Sequence, residues 1–245
     1  MTEQKILIEN EKQANHVAAK VMRIMFLIFT CIYILDLIDI FVVNLTIMTI
    51  AYIGSGVLLL LPTLLVDMFK WDNDYIKYIN VIAAAIFTTL LSITLTYHVV
   101  VIYVYPIAIA SLYFSKQLNI LATGLTVTGV SVGQLAAFYM DTLQDDNFQE
   151  LYSVVIWGIL PRALILIAIA AIFTMLSNRT ANLLLTLLRK EEQLSHSHNE
   201  MVMGFATLVE NKDGSGQAFE PILAETFLDI SDKVKMEHDR INGLE

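Results

Sequence analysis

The chain has 245 residues, of which 56% are hydrophobic and 16% charged, and its formal net charge is −9. A soluble globular domain is about half apolar and about a quarter charged, so this composition argues against a soluble protein. The charges lie mostly in the N-terminus, a few short loops and the last part of the chain, which leaves the long apolar segments between about residues 21 and 176 nearly uncharged. This pattern predicts an integral membrane protein in a lipid bilayer. The acidic balance, without a basic stripe, argues against nucleic-acid binding.

The first 20 residues read MTEQKILIENEKQANHVAAK. They are polar and charged before any long apolar run begins, and no small-residue cleavage site follows a short apolar core. The segment therefore does not have the pattern of a cleavable signal peptide. We expect residues 1–20 to form a cytoplasmic amphipathic helix that leads into the first membrane span.

The apolar part of the chain divides into candidate membrane spans, each of which needs about 20 apolar residues. Residues 79–115 form one nearly unbroken apolar stretch, in which Tyr97 and His98 provide the natural break. We therefore predict an all-α, polytopic membrane domain over residues 21–176. Its six predicted spans are residues 21–43, 47–69, 79–97, 99–115, 118–140 and 153–176.

The distribution of basic residues predicts the orientation of these spans, because cytoplasmic loops are enriched in Lys and Arg. With six spans and a cytoplasmic N-terminus, the three outer connections contain no Lys or Arg. Both termini are then cytoplasmic. The basic residues on the cytoplasmic side are Lys5, Lys12, Lys20, Arg23, Lys70, Lys77, Lys116, Arg179, Arg189 and Lys190.

Charged residues inside a membrane span mark functional sites by default, and the candidates here are Asp36, Asp39 and Arg162. Asp36 and Asp39 lie three residues apart on one face of the first span. Arg162 follows Pro161 in the last span. At about 1.5 Å per residue, Asp36 and Arg162 come to a similar depth, so we expect them to pair or to line a polar cavity. In the alternative, the two Asp side chains reach the interface between membrane and water on the outer side, and the long Arg162 side chain extends its charged end to water.

The fifth span contains Gly129 and Gly133, which form a GxxxG pattern. Small residues at this spacing let two helices approach closely. The favoured interpretation is packing within the chain, and the alternative is dimerisation.

A heptad pattern follows the last span, in the segment SNRTANLLLTLLRKEEQLSHSHNEMVMGFATLVE, which we predict to be one helix. We expect residues 177–198 to form a coiled linker, and the pattern favours a homodimer over a helix that packs on its own domain. One position of the heptad is Leu187, Leu194, Met201 and Leu208, and the other is Leu184, Glu191, His198 and Phe205.

Two neighbouring motifs near the C-terminus resemble the ends of a known domain. Residues 194–214, LSHSHNEMVMGFATLVENKDG, resemble the opening helix of an HD-GYP phosphohydrolase domain. Residues 215–230, SGQAFEPILAETFLDI, resemble its closing helix, which follows a Gly-x-x-Phe-(Asp/Glu)-Pro turn. The metal-binding and catalytic core that the family places between them is absent. Residues 199–245 therefore look like a truncated, helical HD-GYP output segment.

The resemblance implies a multi-pass protein of the bacterial cytoplasmic membrane, related to cyclic di-GMP phosphodiesterases. The family binds two or three iron or manganese ions, which activate water for attack on the phosphodiester. This chain has no GYP motif, and His238 and Asp239 lie past the family's catalytic segment. His196 and His198 are two residues apart on a helix and cannot chelate one ion. We therefore expect no catalytic residue, no metal ligand and no cofactor in this chain.

These observations predict a membrane sensory protein of signal transduction that responds to a small stimulus and lacks the catalytic core. Two alternatives remain open for function. The chain is an active metal-dependent cyclic di-GMP phosphodiesterase if the gene contains the missing segment. A small membrane transporter would instead need a continuous polar path, for which the spans offer few residues beyond Asp36, Asp39 and Arg162. For a purely structural membrane protein, the heptad linker would be unneeded.

Overall fold

A computed structural model describes residues 3–38, 40, 44–71, 73–95, 100–140, 142, 148 and 150–213, with side chains from residue 10 to residue 204 within these ranges. Within this part of the chain every regular element is helical and no strand occurs, which confirms the all-α class. The α-helices are α1 (Glu3–Leu37), α2 (Leu45–Thr63), α3 (Ile76–Thr94), α4 (Tyr105–Ser111), α5 (Lys116–Tyr139), α6 (Leu151–Ser153) and α7 (Leu160–Asp213). A 3₁₀-helix, Val100–Val104, precedes α4, and π-helical segments occupy Leu64–Met68 and Val154–Ile159.

Five helical segments are long and apolar enough to cross a membrane: Asn10–Leu37, Leu45–Met68, Ile76–Thr94, Lys116–Tyr139 and Leu151–Gly204. The chain thus has several helices that could span a bilayer, as its composition predicted. The count of six spans and the orientation remain predictions.

The fourth predicted span, residues 99–115, is shorter than the others in the structure. Its apolar helix covers only Val100–Ser111, which extends about 18 Å against a bilayer core of about 30 Å. Pro106 lies in the first turn of α4, and Phe114 adopts a positive φ of 50° just after the helix. Pro106 thus stands where the 3₁₀-helix passes into α4, and the positive φ at Phe114 lies just beyond the C-terminal end of α4. The predicted break at Tyr97 and His98 lies outside the described residues.

Side-chain caps define where two of the long helices begin. The Asn44 side chain accepts hydrogen bonds from the backbone N–H groups of Thr46 and Ile47, at 3.1 and 3.4 Å. Ser115 Oγ accepts from the backbone N–H of Leu118 at 3.3 Å. Such caps satisfy donors that have no partner inside the first turn of a helix. The sequence therefore sets the start of α2 and of α5 locally.

The main apolar core is formed by side chains from α1 to α5. Phe29 on α1 is fully buried and meets Phe87 on α3 edge to face, with the ring centroids 5.7 Å apart. Tyr33 and Tyr52 stack at 4.3 Å between α1 and α2. A second cluster joins the first, apolar part of α7 to the region around α4 and α5 through Tyr103, Ile107, Val130, Leu166 and Ala170.

The chain divides into two compact units, residues 1–185 and 186–245. The first unit contains the helices described above as far as Leu185. In the second unit, the described residues are helical from Thr186 to Asp213 as part of α7. Of the predicted output segment 199–245, residues 214–245 lie outside the described residues.

Candidate functional site

The charged residues predicted to form an intramembrane site lie on α1 and α7. Asp36 is near the end of α1 and its side chain is only 3% exposed. Arg162 is in the first turn of α7 and is half-buried, and its Nη1 donates a hydrogen bond to the Gly158 carbonyl at 2.9 Å. Asp39 lies outside the described residues. The pairing of Asp36 with Arg162 remains a prediction.

A further polar residue at this end of the bundle was missed by the sequence analysis. Gln134 on α5 is 0% exposed, and neither atom of its amide has a hydrogen-bond partner among the described residues. A buried polar group without a partner lowers stability by about 1–3 kcal/mol. The signal that could have found it was present, because Gln134 is a polar residue inside an apolar span. The predicted intramembrane site included only the charged residues of the spans, Asp36, Asp39 and Arg162.

Gly158 brings Gln134 and Arg162 to one place. A Cβ atom added at Gly158 would stand 3.0 Å from Gln134 Oε1, 3.4 Å from Arg162 Nη1 and 3.7 Å from the ring of Phe148. Gly158 belongs to the π-helical segment Val154–Ile159, and π-helical turns occur frequently at functional sites. The absence of a side chain at this residue lets an amide, a guanidinium and an aromatic ring pack closely against its backbone.

These groups suit binding better than catalysis. Arginine stays protonated in proteins and offers five N–H donors in a fixed fork, while an amide provides two further N–H donors and an oxygen acceptor. Neither side chain is a nucleophile or a general base at neutral pH. We name Gln134, Gly158 and Arg162 the amide–guanidinium site.

A second buried polar set ties α1, α3 and the turn after α4 together. Asn80 Nδ2 donates to Tyr113 Oη at 2.8 Å, and Tyr113 Oη donates to Asn15 Oδ1 at 2.9 Å. Asn119, near the start of α5, is also 0% exposed, with both amide atoms unpartnered within the described part of the chain. Lys77 Nζ lies 2.7 Å from Glu11 Oε1 between the same two helices, α1 and α3.

Gly129 and Gly133 lie where α3 and α5 approach closely. A Cβ atom at Gly129 would overlap Thr89 Oγ1, and one at Gly133 would overlap Ser92 Oγ and approach the Thr89 carbonyl oxygen to 2.9 Å. The GxxxG residues thus contact a helix of the same chain. The two hydroxyls donate to carbonyls of α3 itself, Thr89 to Ala85 and Ser92 to Thr89, each at 2.8 Å.

This close approach bears on the transporter alternative. The polar residues Asn119 and Gln134 lie near opposite ends of α5, and the glycine contacts lie between them along the helix. At those contacts the hydroxyl groups are satisfied by their own helix and leave no room for an added methyl group. The interface between α3 and α5 therefore provides no open polar path through its middle.

The heptad residues of α7 lie outside the apolar core. Leu187, Leu194 and Met201 are 64%, 74% and 55% exposed. The side chain of Leu208, the fourth residue of this series, lies outside the described residues, although the helix continues there. Three large apolar side chains at seven-residue spacing are thus exposed on one helix.

The part of the chain that the structure describes offers no cluster of three or more His, Cys, Asp or Glu side chains that could hold a metal ion. His196 Nδ1 instead lies 3.4 Å from Glu200 Oε1 on the exposed surface of α7. These residues do not fit the ligand set that the iron or manganese ions of an HD-GYP domain require. His238 and Asp239 lie outside the described residues.

Comparisons of the chain with protein-family models, with curated proteins and with solved structures gave no match.

Proposed function

We propose that this protein is a sensory membrane protein of bacterial signal transduction, related to membrane-bound cyclic di-GMP phosphodiesterases but lacking their catalytic core. It acts as a homodimer in the cytoplasmic membrane, with both termini in the cytoplasm. The observation that carries the proposal is α7. This one helix begins in an apolar segment suited to a membrane and continues to Asp213, with exposed heptad residues along its second part.

The exposed heptad residues favour a partner helix. Full burial of a Leu or Met side chain stabilises an association by about 1.5–3 kcal/mol. Leu187, Leu194 and Met201 would be buried together in a parallel coiled coil, since residues at seven-residue spacing share one seam. Glu191 and His198 occupy the other seam position. Polar seam residues lower the stability of a coil but specify its register, which suits a signalling coil that must change state.

The seven-residue spacing also extends back into the first unit. Ala170, Ser177 and Leu184 precede Glu191 at intervals of seven. In the first unit Ala170 is buried, and Ser177 Oγ donates to the Ser111 carbonyl oxygen at 3.1 Å. Because Ser111 is the last residue of α4, a displacement of α4 would act on Ser177. Ser177 belongs to the seven-residue series that continues in the coiled coil, so this contact offers a physical route from the helical bundle to the coil.

Cysteine cross-linking in membranes tests the dimer. In a Cys31→Ser background, which removes the single native cysteine, we expect Leu194→Cys to form a disulfide-linked dimer rapidly on mild oxidation. Glu192→Cys, two residues away on the same exposed helix, is the matched control and should cross-link at least tenfold more slowly. Equal rates for the two variants, or no dimer from either, would contradict a coil with this seam.

The other candidate functions have less support. A transporter needs a continuous polar path, and the sealed middle of the interface between α3 and α5 argues against one there. An active phosphodiesterase needs metal ligands that the described residues do not provide. A purely structural membrane protein has no use for an exposed heptad seam, so deletion of residues 177–198 would leave its behaviour unchanged.

A further inference from the structure

We infer that protonation of His198 weakens the coil of α7, so that the association of two copies of this chain responds to cytoplasmic pH. The inference rests on the proposed function, because it concerns the regulation of the proposed homodimer. Its test separates the two, since the dimer is first measured at a pH at which the imidazole is neutral and only then under acid conditions.

His198 lies on the same face of α7 as the exposed heptad residues. The helix is continuous from Leu160 to Asp213, so the seven-residue series runs through it without a break. Leu194 precedes His198 by four residues and Met201 follows it by three, a spacing that puts the three side chains side by side. Leu194 and Met201 are 74% and 55% exposed, and His198 is exposed as well. A second copy that buries Leu194 and Met201 therefore also buries the imidazole between them.

A parallel coil brings the two copies of His198 together. The second helix then surrounds each imidazole with its own Leu194, Ser197, His198 and Met201, none of which carries a negative charge. A buried charge without an opposite charge is costly, and a like charge beside it raises that cost. The coil therefore accommodates two neutral imidazoles better than two imidazolium ions.

Glu191 is the nearest acidic residue of the seam and does not compensate the charge. It lies seven residues before His198, or about 10 Å along the helix, and Lys190 flanks it. An ordinary glutamate carboxyl titrates at about pH 4.3, so a change between pH 7.5 and pH 5.5 alters the imidazole and leaves the carboxylate charged.

His196 provides a matched histidine that faces away from the seam. It stands two residues before His198, or about 200° around the helix. Its Nδ1 lies 3.4 Å from Glu200 Oε1, and both side chains are largely exposed. Protonation of His196 therefore takes place in water whether or not a second helix is bound. Among residues 186–204, whose side chains the structure describes, the other charged residues off the seam are Arg189 and Glu192.

Proton linkage gives the sign and the size of the effect. A single helix exposes His198 and accepts its proton, whereas the dimer disfavours that proton, so association weakens as the pH falls. For an ordinary imidazole, which titrates at about pH 6.5, a change from pH 7.5 to pH 5.5 raises the Kd of the dimer about sixfold if the coil excludes one of the two protons, and about a hundredfold if it excludes both.

Energy transfer between labelled copies of the full-length chain in detergent measures this Kd. Asn199→Cys in a Cys31→Ser background carries the donor or the acceptor dye at an exposed residue next to His198. We expect the Kd at pH 5.5 to exceed that at pH 7.5 by about fivefold or more.

Three variants assign the effect to one imidazole. His198→Asn keeps a polar seam residue that takes up no proton, and its Kd should be the same at both pH values. His198→Lys carries a permanent positive charge and should associate weakly at both. His196→Ala is the matched control, and its Kd should depend on pH as in the unmodified chain.

The possible failures are distinguishable. A dimer at pH 7.5 whose Kd does not rise at pH 5.5 would overturn this inference and leave the proposed function in place. The same holds if His198→Asn responds to acid as the unmodified chain does, or if His196→Ala removes the response. No dimer at pH 7.5, together with no cross-linking of Leu194→Cys, would overturn the proposed function and this inference with it.

Discussion

The helical bundle before Leu185 contains both buried and exposed apolar side chains, whereas the described part of the helix beyond Leu185 contains no buried one. In the bundle, large side chains such as Phe29 and Phe87 are fully buried against other helices of the same chain. Beyond Leu185, Leu194 and Met201 are more than half exposed. The difference teaches that the first unit has a packed apolar core of its own, whereas the apolar side chains described in the second unit, up to Gly204, are not buried by the residues that the structure describes. Changes in one region should therefore leave the other intact.

The largest effect is expected at the closest helix contact in the bundle. Gly133→Ala places a methyl group against Ser92 Oγ and 2.9 Å from the Thr89 carbonyl oxygen, so the backbone of α3 must move. Overpacking of this kind costs about 1–3 kcal/mol. We expect a lower melting temperature in detergent and a reduced yield of folded protein.

A series of glycine variants sharpens this prediction. The added methyl group of Gly129→Ala contacts only the rotatable hydroxyl of Thr89 at close range, so this variant should lower the melting temperature less than Gly133→Ala does. The added methyl group of Gly124→Ala has no atom within 4 Å. Replacing Ser92 with Ala should partly rescue Gly133→Ala. Equal melting temperatures across the series would show that α3 and α5 do not approach as described.

A moderate effect is expected from the buried polar set at the other end of the bundle. Tyr113→Phe removes the hydroxyl that links Asn80 to Asn15 and leaves both amides with an unmet hydrogen bond. The expected loss is about 1–3 kcal/mol in the free energy of unfolding. Thermal unfolding in detergent measures it, and the cross-linking rate of Leu194→Cys should not change. A Tyr113→Phe protein as stable as the unmodified chain would contradict the role of this network.

The smallest effect is expected for metal removal. The described residues contain no metal-binding cluster, and the chain lacks the GYP motif, so we expect no iron or manganese above background and no hydrolysis of cyclic di-GMP by the purified protein. Dialysis against a chelator should leave the melting temperature unchanged. Metal analysis and a nucleotide assay in detergent check this. Bound metal together with turnover would mean that residues 196–245 form a centre that the sequence analysis missed.

Much of the fold could be predicted because its signals are local. Long apolar runs predicted the helices, and the structure has five that are long enough to cross a membrane. The fourth predicted span, residues 99–115, stays a prediction, and the structure has a shorter helical segment there, Val100–Ser111, followed by a positive φ at Phe114.

The candidate site was predicted only in part, for a physical reason. Arg162 was recognised because an isolated charge in an apolar span is conspicuous, but its neighbours were not. Gln134 lies 28 residues earlier in the chain, and no local pattern connects the two. Their meeting depends on how α5 packs against the π-helical segment Val154–Ile159 and on the missing side chain at Gly158.

The sequence by itself determined that this protein is helical and apolar and that leucine and methionine recur every seven residues after the last apolar segment, because hydrophobic periodicity and the length of apolar runs depend only on neighbours along the chain. The tertiary structure alone decided that Gly133 faces Ser92, that Tyr113 bridges Asn80 and Asn15, and that a buried amide lies beside Gly158. Those contacts join residues far apart in sequence. They follow from the packing of whole helices, which a local pattern does not encode.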